Sequence, residues 1–463
     1  MRTSGVVLVF VAILLSVGCK GQGEQKGAPP PSASARPAGG TPRPDSPAVM
    51  RERAQKAERT FVAWCGGCHG LRGRGDGPAA AVVNPKPRDL TSEKFKIRST
   101  PSGAPPTRQD LFDTVTRGLP GTAMPSFAFL SEEDRNLVVD HVRMLAGHDQ
   151  MKAPKVISVG AEVASSAESI ARGKAVYGKL ECGKCHGDTG RGDGPSSKDL
   201  KDEKGRPLPA RDYSKGLYMG GDTAAAMHMR FRTGLDGSGM PSFDSSLSPQ
   251  DGWDLANYVL SLREAAAPAP TDKVARGRQV VAERQCNACH VIEGKGGDVG
   301  PSLDVAANKL RQDWVMGYLK DPIPYGKIYP YTPFRMPDFK LAPEDVEGVT
   351  ALFAAISKRP FPEPAPAAAT IDESKLGDGG LLFFLKCTEC HNFGKVVPNP
   401  EAKQQGPDLI NVTKRIHFEW IATWVNNPKQ VYPDARMIDT NLSPEQITAV
   451  TSFVWKVASD ANK

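Results

Sequence analysis

Four copies of one short cysteine and histidine pattern carry the chemistry of this sequence. Each copy has two cysteines separated by two residues and followed at once by histidine: CGGCH at Cys65, CGKCH at Cys182, CNACH at Cys286 and CTECH at Cys387. Such pairs can form redox disulfides, half of a zinc site, or an attachment point for haem. Zinc ribbons bring two pairs within about 15 to 20 residues, whereas these pairs stand about a hundred residues apart. Disulfides alone do not explain an adjacent histidine in all four copies.

The pattern C-x-x-C-H is the attachment signature of haem c. Two intervening residues let both thiols reach vinyl groups on one edge of the porphyrin, and the adjacent histidine then ligates the iron. The sequence therefore predicts four covalently attached haem c groups. Their predicted attachment residues are Cys65, Cys68, Cys182, Cys185, Cys286, Cys289, Cys387 and Cys390, and the first iron ligands are His69, His186, His290 and His391.

A methionine follows each motif at a regular interval and is the predicted second ligand. The interval from histidine to methionine is 55, 54, 46 and 46 residues in chain order. A methionine opposite the histidine closes the iron and raises its potential. The predicted ligands are Met124, Met240, Met336 and Met437. Met437 precedes Ile438, whereas the other three precede proline; His417 is the alternative donor, although the register of the flanking Gly-Pro and Trp residues favours Met437.

Helical patterns bracket each motif and give the chain a period of about a hundred residues. Each methionine is followed by a helix start with Ser or Ala at the N-cap, as in LSEEDRNLVVDHVRML, and apolar residues then recur at helical spacing. We name the resulting segments repeats 1 to 4, at residues 51–150, 165–265, 271–360 and 372–463. Repeats 1 and 2 share GRGDGP, and repeats 3 and 4 share a Gly-Pro segment 14 residues before a Trp.

This order of helix, C-x-x-C-H, loop, methionine segment and helix resembles class I cytochrome c over nearly all of the chain beyond residue 50. The resemblance implies an all-α fold of four tandem class I cytochrome c domains, one per repeat, in which the terminal helices cross and loops cover the haem. Pro/Ala-rich linkers at 264–271 and 360–370 join the domains, which can then dock or flex.

The first fifty residues predict export and a membrane tether. An apolar run after Arg2 has the length of a secretory signal core, so residues 1–18 are the predicted signal peptide. Cys19 resembles the lipidated cysteine of a bacterial lipoprotein; an ordinary cleaved signal or a membrane-anchored N-terminus are the alternatives. Residues 19–50 are the predicted disordered tether. Lys20 favours the outer membrane if enterobacterial sorting rules apply.

Several further histidines and arginines have simpler interpretations. His141 and His148 are expected on the surface, as is the position of His417, and His228 aligns with Phe112 as a structural residue. Arg88 and Arg211 precede aspartate in matching loops. They are candidates to bind a haem propionate through bidentate hydrogen bonds, with surface salt bridges as the alternative.

These features predict an electron carrier on the periplasmic side of a bacterial membrane. Four closed haems would relay electrons between a quinol-oxidising complex and a terminal oxidase or reductase. One alternative is a haem enzyme, a peroxidase or reductase, with one open iron, for which repeat 4 is the candidate. Another is a redox subunit that anchors a larger respiratory complex. The net charge of +7 comes from 59 basic and 52 acidic residues without a basic block, which argues against nucleic acid.

Overall fold

The computed structural model describes residues 46–92, 94–149, 154–325, 332–357, 371–394, 406–431 and 435–463. The chain divides into residues 1–50 and residues 51–463, and every contact between repeats given below lies within the second body. The predicted signal peptide, Cys19 and most of the predicted tether lie outside the described residues. The first helix begins at Pro47, inside the range that we expected to be disordered.

Almost all of the regular secondary structure in the described residues is helical, which confirms the all-α prediction. Its helices, in chain order, are α1 Pro47–Trp64, α2 Gly66–His69, α3 Arg108–Arg117, α4 Glu132–Leu145, α5 Ala167–Lys179, α6 Gly183–His186, α7 Ala224–Thr233, α8 Pro249–Ser261, α9 Lys273–Arg284, α10 Ala306–Lys309, α11 Gln312–Lys320, α12 Pro343–Ile356, α13 Leu376–Lys386, α14 Val412–Arg415, α15 Phe418–Asn426, α16 Pro428–Val431 and α17 Pro444–Ala461. Strands β1 Val291–Ile292 and β2 Lys295–Gly296 form a small antiparallel hairpin. Short 3₁₀ turns lie at Pro78–Ala81, Ser197–Asp199, Tyr213–Lys215, Cys286–Ala288, Ile323–Tyr325 and Glu373–Lys375. Within the described ranges, no helix is both apolar enough and long enough to cross a membrane.

The last helix of each repeat begins where the sequence predicts. The N-cap hydroxyls of Ser131, Ser248 and Ser443 each accept a hydrogen bond from a backbone N–H in the first turn, and Ala342 occupies the same position in repeat 3. These caps satisfy N–H groups that have no partner within the helix. Apolar residues on the inner face of each helix then pack on the core of their own repeat.

The first and last helices of repeats 2, 3 and 4 cross at a glycine. A Cβ at Gly173, Gly277 or Gly379 would lie 2.0, 2.2 or 2.1 Å from a carbonyl oxygen of the facing helix. Only glycine allows so close an approach. This crossing holds the start of the cysteine motif, which follows the first helix directly, against the rest of its repeat.

Each repeat contributes one hydrophobic cluster. The four clusters are centred on Phe61, Val138 and Val139; on Tyr177, Phe231 and Leu255; on Val280, Val349 and Phe353; and on Phe383, Phe393 and Val454. Residues 264–272, between repeats 2 and 3, are exposed and mostly irregular. The second Pro/Ala-rich linker lies outside the described residues.

Candidate functional site

Each cysteine motif lies at the end of the first helix of its repeat. In repeat 1, the amide of Cys65 still donates to the carbonyl of Phe61, and the amide of His69 donates to Cys65, so the helix turns directly into the motif. All eight described cysteines are free thiols rather than disulfides. Burial raises the pKa of Cys65 and Cys289 to about 12. These thiols are therefore protonated and lie against apolar surroundings.

The histidine of each motif is oriented by a backbone carbonyl. The Nδ1 atoms of His69, His186, His290 and His391 lie 2.9, 3.2, 2.8 and 2.9 Å from a carbonyl oxygen of a later loop. A carbonyl only accepts, so Nδ1 carries the proton and the lone pair is left on Nε2. Burial lowers the pKa of all four imidazoles, which keeps them neutral. This is the arrangement of an imidazole that ligates a metal through Nε2.

The carbonyls come from the two loop types that distinguish the repeats in sequence. Arg88 and Arg211 supply them in repeats 1 and 2, whereas the prolines of the Gly-Pro segments, Pro301 and Pro407, supply them in repeats 3 and 4. The shared motifs therefore mark the residues that fix the histidine, a role that the sequence reasoning missed. It considered the side chains of the two arginines rather than their carbonyls.

The side chains of these two arginines make contacts between repeats. A guanidinium N–H of Arg88 donates to Glu203 at 2.7 Å, and one from Arg211 donates to the carbonyl of Pro120 at 3.1 Å. The first contact is a salt bridge, in line with the alternative we gave for these residues, but it joins repeat 1 to repeat 2. Propionate binding stays a prediction.

Repeats 1 and 2 hold their methionines in the same loop. The carbonyl of Met124 accepts from the amide of Leu119 at 3.0 Å, and the carbonyl of Met240 accepts from Leu235 at 3.1 Å. Both methionines pack on the hydrophobic cluster of their own repeat, which also includes the first cysteine of its motif. In these two repeats, cysteine and methionine therefore face the same core.

The methionines of repeats 3 and 4 differ from each other. Met336 packs on the hydrophobic cluster of repeat 3. Met437 lines a cavity next to its motif, but it is not part of the cluster of repeat 4. The following Ile438 is strongly exposed. Of the four predicted methionine ligands, Met437 therefore has the least support from its own core.

One cavity of about 1350 Å³ connects three of the four predicted sites. Its lining includes the predicted histidine and methionine ligands and the motif cysteines of repeats 1, 3 and 4, namely Cys65, Cys68, His69, Met124, Cys286, Cys289, His290, Met336, Cys387, Cys390, His391 and Met437. Repeat 2 contributes loop residues such as Glu203 and Met219 to this lining. Its own Cys182, Cys185, His186 and Met240 do not take part.

Repeat 2 also has a distinct group beside its histidine. The ring of Tyr213 stacks on the ring of His186 at a centroid distance of 4.4 Å, and its hydroxyl lies 3.1 Å from Nε2. Tyr213 stands two residues after the carbonyl that holds His186. In the other three repeats, that position is Leu90, Leu303 or Leu409. Aligning the four loops would have found this difference, which the sequence reasoning missed.

The histidines outside the motifs are buried, contrary to our expectation for three of them. His141, His148 and His417 are at most 6% exposed, so their assignment to the surface is wrong. His141 lies on the inner face of α4, and its ring is 4.8 Å from that of Phe61. His228 is fully buried at the position that corresponds to Phe112, as a structural residue would be.

Comparisons with known proteins match this architecture. The cytochrome c family model matches residues 170–263 and 274–354, and the model "Cytochrome C oxidase, cbb3-type, subunit III" matches residues 52–142. Cytochrome c55X of Stutzerimonas stutzeri is 39% identical over 103 residues, which are 22% of this chain and 74% of that protein. The chain belongs to the cytochrome c family. It is a multidomain class I cytochrome c, an electron-transfer protein with covalently bound haem c.

Two further similarities cover part of this cytochrome c. The cbb3-type cytochrome c oxidase subunit FixP of Sinorhizobium medicae (strain WSM419) is 30% identical over 132 residues, which are 28% of this chain and 41% of that subunit. A chain of the Kuenenia stuttgartiensis reducing HAO-like protein complex is 37% identical, with a TM-score of 0.44 over 45% of this chain and 96% of that one.

The described residues fit haem c. Paired free thiols stand beside a neutral imidazole whose Nε2 lone pair is not used by the carbonyl contact, and a largely apolar cavity adjoins three of the four motifs. Bound there, haem would supply the one-electron couple of its iron. The protein would supply attachment, axial ligands and exclusion of water.

Proposed function

We propose that the chain is a tetrahaem c-type cytochrome, one haem for each of the four domains predicted at 51–150, 165–265, 271–360 and 372–463. The observation that carries this proposal is the contact between histidine Nδ1 and a carbonyl, which occurs in all four motifs at 2.8 to 3.2 Å. In each motif it leaves the Nε2 lone pair unused by the carbonyl, although in repeat 2 the Tyr213 hydroxyl lies 3.1 Å from Nε2. Met124, Met240, Met336 and Met437 are the proposed ligands on the opposite side of each iron.

The proposed role is relay of electrons between respiratory partners outside the cytoplasm. Similarity to an oxidase subunit supports a respiratory setting. A quinol-oxidising complex is the proposed donor, and a terminal oxidase or reductase is the proposed acceptor. Lipidation at Cys19 would hold the chain on the periplasmic side of a membrane, with the outer membrane favoured by Lys20. Two ligands on every iron leave no coordination position for a substrate, so we propose a carrier rather than an enzyme.

The proposed haem count is tested by the intact mass of the denatured chain. Four covalently attached haems are expected. Replacing both Cys182 and Cys185 by serine should remove one haem and leave three. Fewer than four haems on the unaltered chain would contradict the proposal, as would a double variant that still carries four.

Methionine ligation at repeat 4 has its own test. Met437→Leu keeps an apolar side chain and removes the sulfur, so the weak red-edge absorption of ferric haem with a methionine ligand should fall by about a quarter, one haem in four. Met144→Leu is the matched control, because Met144 is 48% exposed on α4. An unchanged band in Met437→Leu would leave His417 or an open iron as the account of repeat 4.

A second candidate function rests on the position of Met437. This residue lies outside the hydrophobic cluster of its repeat and precedes the exposed Ile438. A ligand with little support from the core is more easily displaced, which would open one iron. Repeat 4 is therefore the site at which a peroxidase or reductase activity would occur. A third candidate, a redox subunit that anchors a larger complex, predicts a stable partner after mild membrane extraction.

A further inference from the structure

The motif of repeat 1 lies directly against repeat 3. The amide of Arg335 donates to the carbonyl of Ala63 at 2.9 Å, just before the motif begins. A Cβ at Gly66 would lie 3.1 Å from the Phe334 ring, and one at Gly67 would lie 3.4 Å from Val299. The two residues between the cysteines of repeat 1 are thus the surface on which repeat 3 packs.

The same contact brings the two predicted haem sites together. Phe334 and Arg335 directly precede Met336, so the segment that positions the predicted methionine ligand of repeat 3 also contacts the motif of repeat 1. Cys68 of the first motif and Cys289 of the third line the same cavity. Attachment cysteines of two different motifs therefore face a shared space.

Repeats 3 and 4 are joined by backbone hydrogen bonds. Leu310 and Ile416 form an antiparallel bridge, the amide of Arg311 donates to Arg415 at 2.9 Å, and that of His417 donates to Lys309 at 3.1 Å. Residues of this junction, Lys309 and Ile416 among them, line the cavity that joins the sites of repeats 1, 3 and 4.

Repeat 2 also contacts repeat 1. Arg211, whose carbonyl orients His186, donates from its guanidinium to Pro120 in the methionine loop of repeat 1. Arg88, whose carbonyl orients His69, pairs with Glu203 of repeat 2. The loop that fixes His69 therefore contacts repeat 2, and the loop that fixes His186 contacts repeat 1.

From these contacts we infer that electrons cross the molecule in the order repeat 2, repeat 1, repeat 3, repeat 4, in either direction, rather than in chain order. Electron exchange between haems slows steeply with separation, so packing and not sequence sets the route. The inference rests on the proposed tetrahaem function. On this route, Gly66 and Gly67 permit close approach of the haems of repeats 1 and 3. The other motifs carry at least one larger side chain here, as in CGKCH of repeat 2.

Gly67→Lys tests this route, because it converts the motif of repeat 1 into that of repeat 2 and so preserves haem attachment. The added side chain would meet Val299 and Phe334 and separate the two repeats. The measurement is the electron paramagnetic resonance spectrum of the fully oxidised holoprotein, in which neighbouring ferric haems broaden each other's signals. The mutual broadening of the signals from the haems of repeats 1 and 3 should be lost in Gly67→Lys. It should persist in the reverse change, Lys184→Gly, in repeat 2.

The inference is overturned if Gly67→Lys leaves the spectrum unchanged, or if Lys184→Gly removes the same broadening. Should Gly67→Lys attach fewer than four haems, Phe334→Ala decides instead, since it lies outside every motif and removes the ring that packs on Gly66. The intact mass of each sample reports the proposed function separately. Four haems without coupling between repeats 1 and 3 would refute the route alone, and fewer than four in the unaltered chain would refute the tetrahaem proposal.

Discussion

Repeats 1 and 2 are close counterparts that differ at the positions that set redox and acid–base behaviour. Both hold the motif histidine through the carbonyl of an arginine and the methionine through the same loop hydrogen bond. Yet Leu90 corresponds to Tyr213, and Phe112 corresponds to His228. The shared motifs therefore position the proposed ligands in the same way, whereas a few buried side chains around them differ between the two sites.

The two repeats also differ in their surroundings. The proposed ligands of repeat 1 line a cavity shared with repeats 3 and 4, and those of repeat 2 do not. The contact between repeats 1 and 2 is polar and centred on Arg98, which is 0% exposed and donates to Asp236 at 2.7 Å. The contact between repeats 1 and 3 consists of glycine, aromatic and backbone groups. Substitutions at Arg98, His228 and Tyr213 test these features of repeats 1 and 2.

The largest expected effect is on the polar contact. Arg98→Ala would remove the buried guanidinium that pairs with Asp236 and donates to the carbonyls of Phe95 and Thr233. Removing one member of a buried pair costs about 3–5 kcal/mol. Denaturant unfolding of the holoprotein measures this loss of free energy. Lys94→Ala is the control, because the exposed Lys94 lies 3.5 Å from Glu203, and an exposed pair contributes about 1 kcal/mol or less. Equal losses of unfolding free energy in the two variants would show that burial of Arg98 adds nothing to the stability of this contact.

The next effect concerns acid stability, which should depend on His228 in repeat 2. Burial lowers its pKa to about 4, with Arg232 as the charged neighbour that lowers it further. Neither ring nitrogen has a hydrogen-bond partner among the described residues. Below its ordinary pKa of about 6.5, the unfolded chain takes up a proton that the folded chain does not. Stability should therefore fall between pH 6.5 and 4, by about 3 kcal/mol in total at 1.36 kcal/mol per pKa unit.

His228→Phe, which restores the residue found in repeat 1, should remove this part of the pH dependence. The measurement is the free energy of unfolding of both proteins at pH 7 and pH 4. The difference between the two pH values should be about 3 kcal/mol smaller in the variant. Parallel pH profiles would contradict the assignment of a neutral, buried His228.

The smallest effect is a change in potential from the hydroxyl of Tyr213. If Nε2 of His186 binds iron, it has no lone pair left to accept from this hydroxyl, and the phenolic oxygen then favours the ferric state. Tyr213→Phe should raise the potential of the haem proposed for repeat 2 by tens of millivolts, since a hydrogen-bonding group contributes about 1 kcal/mol and 59 mV corresponds to a tenfold change for one electron.

Spectroelectrochemical titration resolves this shift. Tyr177→Phe is the control in the same repeat, because that hydroxyl donates to the carbonyl of Gly187 and not to the histidine ring. A potential that moves equally in both variants, or falls in Tyr213→Phe, would contradict the proposed effect of the hydroxyl.

Local chemistry made much of this fold predictable from sequence. Helix starts at Ser131 and Ser248 follow from cap residues and apolar spacing, and the four motifs follow from cysteine spacing alone. The burial of His141 was missed because histidine was interpreted by its polar type, although Leu137 and Val138, one turn earlier on α4, are buried. In the structure its ring packs on Phe61. The spatial arrangement of the repeats was not predictable from the sequence, since it depends on complementary surfaces such as Gly66 and Phe334 that lie far apart in the chain.

We propose that all four irons are closed by histidine and methionine. The most direct test is the optical spectrum of the reduced holoprotein, recorded with and without carbon monoxide. Four haems per chain and no spectral shift on adding the gas are expected. A shift in about a quarter of the haem, one haem in four, would contradict the proposal. The open iron would then be sought first in repeat 4, where Met437 lies outside the core cluster of its repeat.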